Sequence, residues 1–139
     1  MTVVPPLPAG RADGSVSFAD LRSWVLALPG TREVFVERWN EHTLRYGQKI
    51  FVMGDPDSTF ASVKASPEEQ AELIAGAPSV YAKSPYVGRF GWVRVDLGRA
   101  DPEELRRVVE DAWRRTAPKR VVQAYDSAQG KADQRHRGG

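Results

Sequence analysis

An α+β fold, a two-layer sandwich of a mainly antiparallel sheet with helices on one face, is predicted by three features of the sequence. Three segments open with helix start signals. Between them lie short runs of strand length, several of them alternating apolar and polar residues. Turn-forming residues join these runs, so strands outnumber crossover helices and the sheet is mainly antiparallel. The predicted order is α, three or four β, α, one or two β, α.

The first helix starts after Ser17, with Asp20 three residues on. The second follows Ser66, with Pro67 and Glu69; the third follows Asp101, with Pro102 and Glu104. In each, a small polar side chain caps orphan amide N–H groups, an acid sits at the third helical position, and proline is harmless at the first. Phe18, Leu21, Val25 and Leu28 form one stripe, which Pro29-Gly30 stops. Leu105, Val108, Val109, Ala112 and Trp113 form another, which Pro118 stops.

Strand patterns occupy residues 34–38, 43–46, 49–53, 59–64 and 91–97. Gly47-Gln48 between the second and third reads as a tight hairpin with glycine first, and residues 55–58 (DPDS) read as a turn. Residues 1–16, rich in Pro, Gly and Ala, read as a flexible lead, and residues 17–126 as a single domain. Residues 127–139 hold no large apolar side chain and read as a disordered basic tail.

Several chemistries are excluded or disfavoured. The 139 residues contain no cysteine, which removes disulfides, thiolate metal sites and cysteine nucleophiles and suits a reducing cytoplasm. No secretory signal pattern and no apolar run of about 18 residues is visible, so a cytoplasmic protein with no membrane partner is expected. No G-x-S-x-G, P-loop, H-E-x-x-H or dinucleotide fingerprint occurs. Asp55 and Asp57 begin like a calcium loop, but its sixth and twelfth positions are Phe60 and Ser66 instead of Gly and Glu. Neither catalytic residue, metal ligand nor cofactor is assigned. Glu37, Glu41 and His42 could gather as an acid–base or metal cluster; the plainer reading places them on an exposed strand end.

Charge is unevenly distributed. Residues 1–82 hold 7 Lys/Arg and 10 Asp/Glu, a net −3, whereas residues 83–139 hold 13 and 8, a net +5. An anionic partner would meet the second half. Within it, Trp92, Arg94 and Asp96 alternate with Val93, Val95 and Leu97. The apolar set turns toward the helices, which leaves Trp92 and Arg94 on the other face, able to stack a base and contact a phosphate. The plainer reading, and the favoured one, is a packed Trp92 covered by the stem of Arg94. Tyr86 and Arg89 precede them on a glycine-bearing loop, and Lys119 and Arg120 follow the third helix. Gly88-Arg89-Phe90-Gly91 mimics a G-x-x-G clamp, but leads into a strand instead of joining helices. The arginines of the third helix have i,i+4 acids: Glu103 for Arg107, Glu110 for Arg114 and Asp111 for Arg115.

The blocks at residues 28–35 (LPGTREVF), 39–53 (WNEHTLRYGQKIFVM), 61–73 (ASVKASPEEQAEL), 84–97 (SPYVGRFGWVRVDL) and 111–126 (DAWRRTAPKRVVQAYD) resemble the bacterial MmcQ/YjbR family, over about residues 17–126. The resemblance implies an α/β sandwich related to frataxin-like and secretion-chaperone-like folds, and a double-wing DNA-binding role. Arg45 and Lys49, flanking the hairpin tip, match the first wing. The family's glycine-histidine-proline step is here Glu41-His42-Thr43, which weakens any role carried to His42. The expectation is a non-enzymatic binding module for DNA, of low sequence specificity, monomeric or weakly dimeric. A protein-interaction or chaperone-like module using the open sheet face is the alternative, and a small-ligand protein or enzyme built on His42 the second.

Overall fold

The computed structural model describes residues 15–85 and 87–138. The chain runs α1 (Phe18–Leu26), β1 (Thr31–Val36), a 3-10 turn (Glu37–Trp39), β2 (Glu41–Tyr46), β3 (Lys49–Gly54), β4 (Phe60–Lys64) and α2 (Pro67–Gly76). It continues through β5 (Tyr81–Lys83), a second 3-10 turn (Gly88–Phe90), β6 (Trp92–Asp96), α3 (Pro102–Thr116) and α4 (Lys119–Gly138). The strands form one sheet in the order β1-β2-β3-β4-β6-β5, with every neighbouring pair antiparallel. The predicted α+β class and antiparallel sheet are those observed.

The helix starts follow from local chemistry. Ser17 and Asp20 form a reciprocal capping box, the Ser66 hydroxyl accepts from the Glu69 N–H, and the Asp101 carboxylate accepts from the Glu104 N–H. The hairpin between β2 and β3 turns on Gly47, whose φ of 60° is left-handed while Gln48 stays on the ordinary side. Glycine takes that conformation without the Cβ clash other residues incur.

One face of the sheet is dry. Leu44, Val52, Val63 and Val93 pair in a continuous cross-strand row, and none of the four has any exposure. Phe18, Leu21 and Val25 of α1 and Leu105, Val109 and Trp113 of α3 join the same core. The Trp113 indole Nε1 donates to the Pro29 carbonyl at 3.0 Å, which ties α3 to the end of α1. A register shift opposite Leu44/Arg45 leaves Phe51 as the extra residue of β3, so Phe51 and Val52 are both fully buried although adjacent. A bulge does this by breaking strict alternation for one residue.

Several boundaries differ from the sequence reading. β1 begins at Thr31 and ends at Val36, because the chain enters a 3-10 turn closed by Asn40 in the left-handed region, φ 53°. Val16, expected in a flexible lead, is buried, and its N–H donates to the Leu97 carbonyl at 3.2 Å. Residues 1–14 of that lead lie outside the described residues. Pro118 ends α3 but also starts α4, its carbonyl accepting from Val121 and Val122. α4 then continues to Gly138 through the stretch expected to be a disordered tail. That stretch has no apolar face to pack, yet Ala, Gln, Lys and Arg propagate a helix well once an anchored turn has nucleated it. Of the expected i,i+4 pairs, Arg114 meets Glu110 at 4.0 Å, while Arg115 reaches Glu69 of α2 at 2.7 Å instead of Asp111. Among the described residues, no helix is long and apolar enough to cross a membrane.

Candidate functional site

The second face of the sheet is built from the alternate residues of the same strands. One row runs Val34, Thr43, Met53, Ser62, Arg94, Ala82 across five strand boundaries. Phe60 opposite Asp96 and Lys64 opposite Trp92 flank it on β4 and β6. The Arg94 guanidinium lies over the Phe60 ring at 4.7 Å from its centroid, and both side chains are exposed. This is a cation–π arrangement at the surface.

Trp92 is packed, as the plainer reading of the strand expects, and does not serve as a stacking platform. It is 7% exposed, and it sits outside the main core cluster. Its ring is packed on the sheet's second face, so no base can lie on it. Phe60 takes the position beside Arg94 that the alternation suggested for Trp92. The signal was present in the sequence, since Phe60, Ser62 and Lys64 alternate with Ala61 and Val63.

A groove of about 610 Å³ crosses this face. Trp39, Met53, Phe60, Pro85 and Val87 wall it, and Trp39 is 49% exposed. The 3-10 turn and the left-handed Asn40 bring Trp39 there, which no periodicity in the sequence reveals. Arg94 stands on the groove's β6 side and Glu41 with Asp55 on its β2–β3 side. Partial burial, with the Asp55 charge adding to it, raises the Glu41 carboxyl above the usual carboxylate range against the pull of His42.

A basic corner occupies the hairpin end of the same face. Arg32 and Arg45 stand directly opposite each other on β1 and β2. Arg32 Nε donates to the Gly47 carbonyl at 3.0 Å, and Arg45 Nε donates to the Thr43 hydroxyl at 2.9 Å. Among the described residues neither makes an ion pair. Like charges directly opposite in a ladder destabilise it, so these hydrogen bonds hold the two side chains against their mutual repulsion. The sequence reading missed Arg32 because it started the strand three residues late.

The remaining expected residues are dispersed. Lys49 opens β3 and is exposed at the hairpin tip. Arg89 is exposed on the second 3-10 turn, its guanidinium 4.8 Å from the Phe90 ring centroid. Lys119 and Arg120 open α4, which packs on α3 through the Trp113–Tyr125 ring contact and the Arg114–Asp126 ion pair. They therefore belong to the helical layer and do not join Arg94. Tyr86 lies outside the described residues. The turn carrying Arg89 is held by Gln70 of α2, a buried side chain whose Nε2 donates to the Gly88 carbonyl at 2.6 Å and the Trp92 carbonyl at 2.8 Å. At its end Gly91 takes φ 96°, with the Ala65 carbonyl 2.8 Å from where a Cβ would stand.

His42 is engaged elsewhere. Its Nδ1 is 2.7 Å from Glu33, whose other oxygen accepts from Arg22 Nε at 2.6 Å, and its ring packs between Phe18 and Phe35. Burial pushes the Glu33 carboxyl up, but hydrogen bonds from Arg22 and His42 outweigh it and hold it below its ordinary range. His42 is thus held in a bridge between β1, β2 and α1, and the acid–base or metal cluster with Glu37 and Glu41, already the less favoured reading, is not what its hydrogen bond serves. Among the described residues, no cluster of three or more His, Asp or Glu is arranged to hold a metal.

Comparison with known proteins agrees with the architecture. The solved structure of the Deinococcus radiodurans protein DR2400, of the domain family DUF419, superposes with a TM-score of 0.65 at 23% identity, covering 72% of this chain and 78% of that one. Uncharacterized proteins of Mycobacterium tuberculosis and Mycobacterium bovis are 32% identical over 71 residues, 50% of this chain. The chain spans only about half, 55%, of the length of those curated relatives. The YjbR family model matches residues 26–115, well over half of the sequence. The chain belongs to the YjbR family.

Proposed function

We propose that this chain is a binding module, not an enzyme, and that its open sheet face takes nucleic acid with low sequence specificity. The observation that carries the reading is the exposed Arg94 over exposed Phe60, on the same face as the unneutralised Arg32–Arg45 pair. Arginines contact phosphates, and an exposed ring stacks a base for ~1–3 kcal/mol whatever its identity. The groove walled by Trp39 and Phe60 favours an extended single strand, DNA or RNA, over a duplex, whose bases are already stacked. The cytoplasmic location and the absence of a cofactor are parts of the same proposal.

Fluorescence anisotropy of labelled single-stranded and duplex oligonucleotides tests it, at about 50 and 200 mM salt, where phosphate contacts change affinity most visibly. Steeply salt-dependent binding that prefers the single strand and weakens in Arg94→Ala supports the proposal. Dissociation constants weaker than ~10⁻⁴ M at low salt would sink it.

A second reading rests on a different observation. Glu41 and Asp55 line the same groove as the apolar walls, and these acids repel phosphate. An extended peptide carrying lysine or arginine would suit that end, which makes the face a protein-interaction surface. Binding of a basic, aromatic-containing peptide that weakens with salt and in Glu41→Gln, with no single-strand binding at low salt, would favour it.

A further inference from the structure

Most polar groups of the groove on the open face are engaged within the fold. The Ser58 hydroxyl accepts from the Phe60 N–H at 3.0 Å, and one Asp55 oxygen accepts from the Asp57 N–H at 2.9 Å. The Ser62 hydroxyl is bonded to that of Ser84 at 2.9 Å. The two remaining charged groups of the lining differ. Among the described residues, Glu41 has neither a hydrogen-bond donor nor an ion-pair partner although it is half-buried, and Arg94 meets no acid. A carboxylate that loses water without gaining a donor is destabilised. The upward push that burial and the Asp55 charge give the Glu41 carboxyl is the same deficit.

Strand register sets these two groups apart. Gly54 of β3 pairs with His42 of β2 on one side and with Ala61 of β4 on the other. Glu41, Asp55 and Phe60 each adjoin one of those three residues in the chain, so they stand at one level of the sheet. Two strand spacings, roughly 9–10 Å, separate β2 from β4. Arg94 reaches the far end of that span, since its guanidinium lies over the Phe60 ring. Trp39, two residues before Glu41, walls the near end with its ring half exposed. Arg38 stands 5.8 Å from the Trp39 ring centroid but does not line the groove. The order across the groove is therefore an acceptor beside one aromatic ring, then a second ring beneath a cation.

We infer that the groove selects one guanine of a bound single strand: the base lies against Trp39, its N1–H and N2 amino group donate to the Glu41 carboxylate, and its phosphate accepts from Arg94. Guanine presents two adjacent donors, which match the two oxygens of a carboxylate. Adenine and cytosine present one amino group beside a ring acceptor, and thymine or uracil flanks its one donor with carbonyls, which a carboxylate repels. An arginine side chain of a partner would also satisfy Glu41, but it would add a second cation to a groove that already holds Arg94 and would leave Arg94 without an anion. The inference rests on the nucleic-acid reading and narrows it: stacking and phosphate contacts stay tolerant of sequence, while one position prefers guanine.

The test is fluorescence anisotropy of the full chain at about 50 mM salt, where phosphate contacts are strong. The probes are labelled thymidylate pentamers whose central base is thymine, adenine, guanine or hypoxanthine, the last keeping N1–H and lacking the N2 amino group. The guanine pentamer is expected to bind roughly tenfold tighter than the thymine one, with hypoxanthine between them and adenine close to thymine. Glu41→Gln, which keeps the shape and removes the charge, is expected to abolish the guanine advantage and retain binding of the thymine pentamer. Arg94→Ala is expected to weaken all four by a similar factor and to keep their order. Equal, salt-dependent affinity for all four would overturn the inference and leave the nucleic-acid reading standing, as would a guanine preference unchanged in Glu41→Gln. No binding of these or of longer strands would remove both. An arginine-bearing peptide that binds tighter than any pentamer, and loses that affinity in Glu41→Gln, would assign the carboxylate to a guanidinium and overturn the inference.

Discussion

The two faces of one sheet, drawn from the same strands, obey different rules. On the helix side, Leu44, Val52, Val63 and Val93 form a row with no exposure, closed by α1 and α3. On the other side, the neighbouring row passes from buried Thr43 through half-buried Met53 and Ser62 to exposed Arg94, beside Phe60 at 40% exposure. Folding accounts for the first row by burial alone. It does not account for an exposed aromatic under an arginine, or for two arginines directly opposed. These are the features on which the proposed nucleic-acid role rests. The comparison separates residues that make the fold from residues the fold displays.

The largest expected effect lies on the dry side. Trp113→Ala removes a fully buried ring and its hydrogen bond to Pro29, and urea unfolding is expected to show a loss of ~3–5 kcal/mol. A smaller loss at this site would mean that α3 is not the anchor of the core. Gln70→Leu comes next. It removes one of two donors from each of the Gly88 and Trp92 carbonyls, which still accept from the Gly91 and Ser84 N–H groups, at an expected ~1–3 kcal/mol in all. Faster amide exchange at residues 88–91 in the variant would identify Gln70 as the clamp on that turn. Unchanged exchange would break the link between α2 and the loop bearing Arg89.

The legibility of the sequence divided along the same line. Periodicity marks burial, so the stripe of α3 from Leu105 to Trp113 was read in full. Capping chemistry is local, so all three predicted helix starts were found. The short edge strand β5 was only allowed for as one of one or two strands, since three residues carry no period. The bulge at Phe51 was invisible, since alternation cannot report its own interruption. On the displayed face the sequence points to Arg94 and Arg45 and leaves Trp92 more readily packed than stacked, but it does not single out Phe60. Hydrophobic size alone does not tell which aromatic of two adjacent strands is covered. Trp39 reaches the groove through a 3-10 turn and Asn40, a tertiary placement that no local pattern encodes. The path of α4 was missed because Pro118 signals a stop and a start equally well.

Two glutamates on opposite sides of the sheet sharpen the comparison by sign. The folded state holds Glu33 below its ordinary range. Its contribution is therefore present above about pH 4.3 and is lost as pH falls through the folded value, because the unfolded chain binds the proton first. The folded state raises Glu41, so its contribution runs the other way: stability falls as pH rises through the window above about 4.3. Thermal unfolding at neutral pH is expected to show Glu33→Gln lowering Tm and Glu41→Gln raising it. The same sign for both would mean that the Arg22–Glu33–His42 bridge, or the partial burial of Glu41 beside Asp55, is not formed in solution.

The smallest effects on stability belong to the displayed face. Phe60→Ala and Arg94→Ala are expected to change unfolding free energy by no more than ~0.5 kcal/mol, as exposed substitutions do. If nucleic acid binds there, Arg94→Ala is also expected to flatten the dependence of log affinity on log salt by about one unit, one phosphate contact. A stability loss as large as that of Gln70→Leu would show instead that this face is part of the core.

The most direct test of the account maps binding onto the two layers at once. Backbone amide shifts would be followed in a ¹H–¹⁵N spectrum while a single-stranded oligonucleotide is titrated in at about 50 mM salt, where phosphate contacts are strong. The account predicts shifts clustered at Arg32, Arg45, Phe60, Ser62 and Arg94, with Lys119 and Arg120 unmoved. Shifts confined to the start of α4, or no shifts at all, would contradict it.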